Sequence, residues 1–397
     1  MKGSKERTEN ERFIRDINAR FFFKEFTYFN TEFRTKYKEE FELADGMVWL
    51  DNLLFVFQMK ERNANYAKSE DSERKWFKKK ILDEAISQIK RTEAYRENYN
   101  DRFEFENERG HKLDMSKIQS TELVRLVVYS PSEKLPEDCR FRKFYKLKNK
   151  ELVHLFHSED YYWICRYLVT PDEINDYLLF RERFYFRAGL DINSLPEQYF
   201  LSHYFSKDRS YKLKANLGIL LNSLEEDLQS FDISPLFEFF WDEGADYSTL
   251  EENYTILKEL AKLGRQELEH FRKRFDKIIL QTIKKVKDLP YRMTSARTNC
   301  GFVFWNIEVE DDDLAVKAVS NITYAHMYEQ KLSKSVGVVA YRSKKDNDMT
   351  RLQWCFLESE WKPNASMDRL LKESFPFRPV SNKMLRNYKF KDGESNA

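Results

Sequence analysis

The chain has 397 residues, of which 41% are hydrophobic and 16% aromatic, and its 68 basic and 67 acidic side chains leave a net charge of +1. This composition excludes a disordered chain, because the apolar content is large enough to form buried cores. The near-zero charge also excludes an overall basic surface, so any binding to nucleic acid must use local patches.

The first 205 residues alternate between strand-like and helix-like segments, which is typical of an α/β fold with a layered sheet. Tight turn residues between two apolar runs predict a hairpin, and long apolar periodicity predicts helices. In chain order we expect a helix from Glu11 to Arg20, a hairpin turning at Asp51 and Asn52, a helix from Asp71 to Asn98, strands at 121–130 and 151–157, and a helix starting with Pro171.

The character of the sequence changes twice after residue 205. Residues 206–290 carry helical periodicity with almost no glycine or proline, and 291–397 carry strand-like segments at 302–310, 335–345 and 351–361 around a helix at 319–334. The acidic run at 309–316 is predicted to cap that helix rather than to bind a second metal. We therefore predict domains at 1–205, 206–290 and 291–397, the last being a small α+β domain for assembly or partner docking.

The cysteines and the N-terminal segment bear on the cellular compartment. Cys139, Cys165, Cys300 and Cys355 are scattered without paired spacing, which argues against a disulfide framework or a zinc ribbon. The last three lie in apolar contexts, so we expect them to be buried. The start is polar, and no apolar stretch approaches the roughly 18 to 20 residues of a membrane span. We expect a cytoplasmic protein without membrane contact.

The predicted hairpin brings three polar side chains to one place. With Asp51 and Asn52 as the two turn residues, Asp45 falls directly opposite Gln58, and their side chains point to the same face of the sheet. Lys60 lies two residues beyond Gln58 and therefore points to that face as well. The sequence thus predicts that these three groups converge at the open end of the hairpin.

This convergence suits the hydrolysis of a phosphodiester. Mg²⁺ prefers oxygen ligands, which the Asp45 carboxylate, the Gln58 side-chain carbonyl and the Met59 backbone carbonyl could supply. The metal would produce hydroxide from bound water and neutralise the phosphate charge, and Lys60 would orient that water or stabilise developing charge. Glu42 is the nearest candidate for a further ligand or base.

These residues also carry a family resemblance. The string E42-L-A-D45, followed by V-W-L-D-N-L-L-F-V-F and then Q58-M-K60, resembles the PD-(D/E)XK nucleases, in the D…QxK form of Mrr-like restriction enzymes. Such folds place a helix after the lysine strand, and Gln88 on that helix is similar to a glutamine that some branches direct at the active site. Over roughly residues 1–190 the resemblance implies a restriction-endonuclease-like mixed sheet flanked by helices, dependence on Mg²⁺ or Mn²⁺, and double-stranded DNA as substrate.

A basic segment, RKWFKKK at 74–80, follows the predicted site closely. Its positive charges could bind the phosphates of a nucleic acid. The alternative is a solvated helix face whose aromatic residues, Trp76 and Phe77, reach the core. With a nuclease site next to it, we favour phosphate contact by the five basic residues, Arg74, Lys75, Lys78, Lys79 and Lys80.

The first functional hypothesis is a Mg²⁺-dependent DNA endonuclease, with Asp45, Gln58, Lys60, Glu42 and Gln88 as its catalytic set. No phosphate-binding glycine-rich loop is present, so the chain has no ATPase of its own. The resemblance then implies the regulated effector of a prokaryotic anti-phage or anti-plasmid defence system, released by a partner protein or ATPase. Because duplex cleavage needs two active sites, a homo-oligomer is expected.

Two alternatives stay open at this point. Gln58 replaces the usual acid and removes a negative charge, which leaves room for a non-catalytic nuclease-fold module that binds nucleic acid or a partner protein. An RNA-directed nuclease would use the same residues. His154 and His157, with no cysteine cluster near them in sequence, are interpreted as structural histidines.

Overall fold

The computed structural model describes residues 9–21, 26–29, 32–34, 40–99, 104–114, 122–187, 192–205, 233, 250–295, 297–309, 312–343 and 349–378. These residues belong to two compact units. Described residues up to 205 form the first unit, and those from 233 onward form the second. Each unit is mixed α/β. No helix in these ranges is both long enough and apolar enough to cross a membrane.

The first unit is built on a six-stranded mixed sheet with the strand order β1-β4-β5-β8-β10-β9. β5, β8 and β10 run parallel, and the remaining neighbours are antiparallel. Two separate pairs, β2 with β3 and β6 with β7, complete the strands. The strands are β1 (Thr27–Tyr28), β2 (Glu32–Arg34), β3 (Glu40–Glu42), β4 (Gly46–Leu50), β5 (Leu53–Glu61), β6 (Glu104–Glu106), β7 (Lys112–Asp114), β8 (Glu122–Ser130), β9 (Phe144–Lys146) and β10 (Leu152–His157).

Helices cover both faces of this sheet. One face packs against a long helical segment, where Trp76, Phe77 and Ile81 join Met47 and Val56 in one core cluster. The opposite face packs against α1 and α5, which contact the central strands. The helices are α1 (Glu9–Phe21), the segment α2 (Glu70–Trp76), π-helix (Phe77–Ala85) and α3 (Ile86–Tyr99), then α4 (Glu137–Arg140), α5 (Ser158–Leu168), α6 (Pro171–Arg187) and α7 (Glu197–Phe205).

The elements predicted for this unit are confirmed, and the hairpin register agrees with the prediction. Leu50 pairs with Leu53 and Met47 with Val56, so the two turn residues are Asp51 and Asn52. Asp51 takes a φ of 50°, the left-handed conformation that a tight hairpin turn requires. A short two-residue turn fixes the register of the whole hairpin, which is why the sequence was sufficient here.

The π-helix in the middle of the long segment was not predicted. Phe77, Ile81, Ala85 and Ile89 are four residues apart and at most 2% exposed. Four residues overshoot one α-helical turn by about 40°, so a continuous α-helix would rotate the last of them away from the sheet. In a π-helix, with roughly 4.4 residues per turn, four residues fall short of a full turn, and this compensates the rotation that the α-helical parts add. The π segment therefore keeps one apolar stripe on the sheet.

The second unit has a four-stranded sheet with the order β11-β12-β13-β14. β12 and β13 are parallel, and the outer pairs are antiparallel. The helices that we predicted as a middle domain, as far as they are described, pack on this sheet. Its elements are α8 (Leu250–Ala261), α9 (Arg265–Ile283), β11 (Tyr291–Ser295), β12 (Cys300–Asn306), α10 (Asp312–Glu329), β13 (Lys334–Ser343), β14 (Met349–Glu358) and α11 (Ala365–Glu373).

Close packing of α10 on β13 depends on Gly337. A Cβ atom at this position would overlap Thr323 Oγ1 and would lie 3.1 Å from Val319 Cγ2. Glycine is therefore the residue that lets the helix approach the strand at this point. Substitution here would have to push the helix outward or distort the strand.

Several predictions for the second unit were only partly right. The acidic run does begin the helix, since Asp312 and Asp313 lie in the first turn of α10. That helix starts earlier than expected and ends at Glu329. The edge strand β11 was missed. Cys355 is partly exposed, which corrects the expectation of burial, whereas Cys165 and Cys300 are buried. The predicted helical stretch at 206–249 lies outside the described residues, apart from residue 233.

Candidate functional site

The open end of the β4–β5 hairpin carries the predicted polar group. The Asp45 backbone N–H donates to the carbonyl of Phe57, the residue that pairs with Gly46, at 3.1 Å, so Asp45 lies at the end of the hairpin just outside its regular ladder. The direct pairing of Asp45 with Gln58 stays a prediction. Farther along the same face, the alternate residues of both strands belong to the core under the long helical segment. The polar group is thus the terminal part of an otherwise apolar sheet face.

Asp45 and Lys60 lie close together, which confirms their predicted juxtaposition. Lys60 Nζ is 3.6 Å from Asp45 Oδ2, and the two side chains are 13% and 12% exposed. The Met59 backbone N–H donates to the same carboxylate oxygen at 2.5 Å. A hydrogen bond from a strand backbone is rigid, so it fixes the direction of the carboxylate while one side of the group stays near solvent.

Gln58 contributes a buried oxygen that no donor in the described part of the chain satisfies. The residue is 2% exposed, and its Oε1 atom has no hydrogen-bond partner among the described residues. A buried acceptor without a donor costs about 1–3 kcal/mol, so native structures rarely leave one without a reason. A cation at this oxygen would remove that cost.

Gln88 shares this property. It lies on α3, and its side-chain Oε1 atom is also buried without a partner in the described ranges. A hydrogen bond joins α3 to the segment that precedes Asp45. Thr92, one turn after Gln88, donates its hydroxyl to the Leu43 carbonyl. Within the described chain, no hydrogen bond joins Gln88 directly to Asp45 or to Lys60. The helix is therefore placed near the site, but a direct role for Gln88 stays a prediction.

The other predicted ligands are less defined. Glu42 ends β3, which pairs with β2 rather than with the hairpin, and its side chain lies outside the described part of the chain. Met59, whose backbone carbonyl was predicted as a ligand, donates its N–H group to Asp45. In the sheet it is paired with Val128 of β8. No group of three His, Cys, Asp or Glu side chains in the described ranges is arranged to hold a metal. The described donors for a cation are thus one carboxylate and neutral oxygens.

The basic segment forms the outer face of the helix that covers the site. Trp76 and Phe77 are buried at 9% and 2% exposure, as the solvated-face interpretation predicts. Of the five basic residues, Arg74 pairs with Asp138, and Lys80 pairs with Glu84 at 2.6 Å. The other three are exposed and have no ionic partner among the described residues, namely Lys75, Lys78 and Lys79.

A buried ion pair next to the site was missed. Arg62 Nε donates to Glu73 Oε1 at 2.9 Å, which ties the end of β5 to α2. Glu73 is 0% exposed. Burial by itself would raise the pKa of Glu73, but the hydrogen bond and charge of Arg62, with further hydrogen bonds from neighbouring serine hydroxyls, outweigh burial and lower the pKa. Because Arg62 continues the alternation of Gln58 and Lys60, the strand pattern could have indicated its face, but not its partner.

A second buried cluster lies on the opposite side of the sheet. Glu197, 3% exposed, accepts from Arg181 Nη2 at 2.9 Å and from the Tyr177 hydroxyl at 2.5 Å, and it lies 3.2 Å from Lys143 Nζ. Burial would raise the pKa of Glu197, but the charges of Arg181 and Lys143 lower it to about 2. These residues come from three separate segments, with Tyr177 and Arg181 one turn apart on α6, so no local sequence pattern indicates the whole cluster.

His154 and His157 have the structural roles that were expected. His154 Nε2 lies 3.0 Å from Glu182, and its Nδ1 lies 3.2 Å from Arg181. His157 Nδ1 accepts from the Glu159 backbone N–H at 3.2 Å and so caps α5. Burial, aided by the nearby charge of Arg140, lowers the pKa of His157 to about 4. Through these contacts, both histidines contribute to the packing of the unit.

Comparison of the chain with protein-family models, with curated proteins and with solved structures found no match.

Proposed function

We propose that the first unit is a metal-dependent nuclease domain that hydrolyses phosphodiester bonds, with double-stranded DNA as its substrate. The observation that carries this proposal is the hairpin end, where Lys60 Nζ lies 3.6 Å from Asp45 Oδ2 and the buried Gln58 Oε1 has no partner among the described residues. A carboxylate that can hold a metal ion and a nearby ammonium group are groups that metal-assisted phosphodiester hydrolysis uses.

The residues fit a hard divalent cation such as Mg²⁺ or Mn²⁺. Asp45 and Gln58 would hold the ion through oxygen atoms, with the Met59 carbonyl as a further candidate. The unsatisfied Gln58 oxygen supports this assignment, since a bound cation would satisfy it. When bound, the ion would activate a water molecule and neutralise charge on the phosphate.

The protein groups around that ion have separate tasks. The Met59 N–H holds the Asp45 carboxylate in one orientation. Lys60, a compact and mobile charge at the edge of solvent, would orient the attacking water or stabilise negative charge on the phosphate. Glu42 and Gln88 would act on the same site from β3 and α3.

The wider setting supports a nucleic-acid substrate. Lys75, Lys78 and Lys79 are exposed on the helix that follows the lysine strand and have no ionic partner among the residues that the structure describes, and with Arg74 and Lys80 they would contact phosphates. The mixed sheet flanked by helices, and a helix after the lysine strand, are compatible with the PD-(D/E)XK resemblance.

Because duplex cleavage needs two sites, we propose a homo-oligomer. We further propose the role of a defence effector that a partner protein or ATPase activates.

Gln58 favours a second candidate function. A neutral ligand in place of a carboxylate weakens cation binding, so the same fold could bind nucleic acid or a partner protein without cutting. An RNA-directed nuclease is a third form of the proposal, since Asp45 and Lys60 would act identically on either backbone.

Cleavage of plasmid DNA by the purified chain tests the proposal. The protein is assayed with Mg²⁺, Mn²⁺ or EDTA beside Asp45→Ala and Lys60→Ala, and RNA and single-stranded DNA are run in parallel. Exposed residues of the same unit provide matched controls, Asp83→Ala and Lys148→Ala. We expect metal-dependent nicking that both site variants lose and both controls keep.

Two results would count against the nuclease. Full activity in folded Asp45→Ala would place the chemistry elsewhere. A wild-type protein that binds nucleic acid and cuts none of the substrates with any metal would favour the binding module.

A further inference from the structure

Arg62 is a second cation on the sheet face that carries Lys60. Its backbone N–H donates to the Ser130 carbonyl at 2.9 Å, so the β5–β8 ladder continues one residue past the end of β5. Its guanidinium lies 5.9 Å from the ring centre of Trp76, which belongs to the core cluster on the site face. The two cations are separated by two strand residues, about 6.5 Å along the strand.

One edge of the Arg62 guanidinium is fixed by protein contacts. Nε donates to Glu73 Oε1 at 2.9 Å, and Nη2 lies 2.8 Å from the same oxygen. Nη2 also donates to the Tyr66 carbonyl at 2.6 Å. Together with the Trp76 ring, these contacts hold the planar head in one orientation. A cation that is already held loses little side-chain freedom when it binds a ligand.

The other edge is open. Nη1 takes part in none of these contacts, and it is not among the buried polar atoms that lack a partner. The side chain is 13% exposed, and we infer that Nη1, which makes none of these contacts, accounts for part of that exposed surface on the face that carries Lys60. Arginine differs from lysine in this respect, since its fork can bind a carboxylate on one edge and a phosphate on the other.

We propose that Arg62 binds a phosphate of the polynucleotide through Nη1, with Glu73 as the positioning residue that aims it. The inference rests on the proposed function only in taking a polynucleotide as the ligand. Arg62 would hold the same phosphate as Lys60, or the next one along the strand. This would orient the backbone over Asp45 and Gln58.

Salt-dependent binding of a labelled DNA duplex to the full chain tests this role. Binding is measured in EDTA, so that no cleavage occurs, by fluorescence anisotropy over a range of NaCl concentrations. The double variant Arg62→Met with Glu73→Gln removes both charges together, which avoids leaving a buried carboxylate unpaired. An ion pair of the second unit gives the matched control, Arg292→Met with Glu329→Gln.

We expect the double variant to bind about three- to tenfold more weakly, and its plot of log affinity against log salt to be shallower by about 0.9, the loss of one phosphate contact. The control should keep the wild-type slope. The single variant Arg62→Lys should lose the contact as well, because the ammonium of lysine would be taken by Glu73. If the double variant does not fold, Arg62→Lys decides the result.

An unchanged slope and affinity in a folded variant would show that Arg62 only joins β5 to α2. Wild-type protein that binds neither duplex, single strand nor RNA would overturn the proposal as well. The outcome is separable from that of the cleavage assay. A chain that never cuts but shows the Arg62-dependent slope loses the nuclease function and keeps the phosphate site. If the wild-type chain cuts DNA and the Arg62 variant keeps the wild-type salt slope, the nuclease function stands and the phosphate site at Arg62 is lost.

Discussion

If Gln58 faces a cation as proposed, replacing it with glutamate should strengthen the binding of that cation. The side chain is 2% exposed and precedes Lys60 by two residues on the same strand face, so the new carboxylate would be buried near the Asp45–Lys60 pair. Without metal, burial and the neighbouring carboxylate should raise the pKa of the new group and cost about 1–3 kcal/mol of stability. With Mg²⁺, the added charge should strengthen binding.

The size of the metal effect follows from linkage. A cation at a hundred times its dissociation constant adds about 2.7 kcal/mol to the free energy of unfolding. In a unit of about 200 residues, this corresponds to an increase in Tm of about 5–10 °C. The wild type, with a neutral Gln58, should show a smaller increase at the same Mg²⁺ concentration.

Thermal unfolding followed by circular dichroism, with and without Mg²⁺, measures this difference. Gln58→Leu is the matched control, since it removes the unsatisfied oxygen and should abolish the response to metal while leaving the metal-free protein at least as stable. Equal Mg²⁺ responses in the wild type, Gln58→Glu and Gln58→Leu would refute the idea that Gln58 faces a cation site.

Three further predictions concern the structure around and beyond the site. Glu197→Gln should cost the first unit about 3–5 kcal/mol in urea unfolding, because it leaves two buried cations without their carboxylate; the half-buried Glu182→Gln should cost less than about 1 kcal/mol, and equal losses would contradict this. The pKa of His157, about 4 in the folded protein against about 6.5 unfolded, means that the unfolded state takes up the proton first. Stability should therefore fall by about 3 kcal/mol as pH drops from 6.5 to 4, and His157→Asn, which keeps a helix cap, should flatten that dependence in unfolding measured across this range. Gly337→Ala should destabilise the second unit by about 1–3 kcal/mol through overlap with Thr323, as a lower Tm would show.

The sequence alone determined the hairpin and therefore the centre of the candidate site. Two apolar runs separated by Asp51 and Asn52 left one register, and strand alternation then placed Asp45 and Lys60 on the same face. These are local consequences of a two-residue turn and a period of two, so no distant contact was needed. The helices with clear periodicity were predictable for the same reason.

Only the tertiary structure decided which polar groups are satisfied. The open Gln58 oxygen and the pairing of Arg62 with Glu73 depend on which helix covers the sheet. The π segment likewise follows from packing, because its apolar residues must all face the sheet on which the helix lies. Residues far apart in the chain decide which side chains are buried and which partners they meet. A periodic pattern in the sequence therefore predicts the face on which a side chain lies, but it does not predict the residues that the side chain contacts.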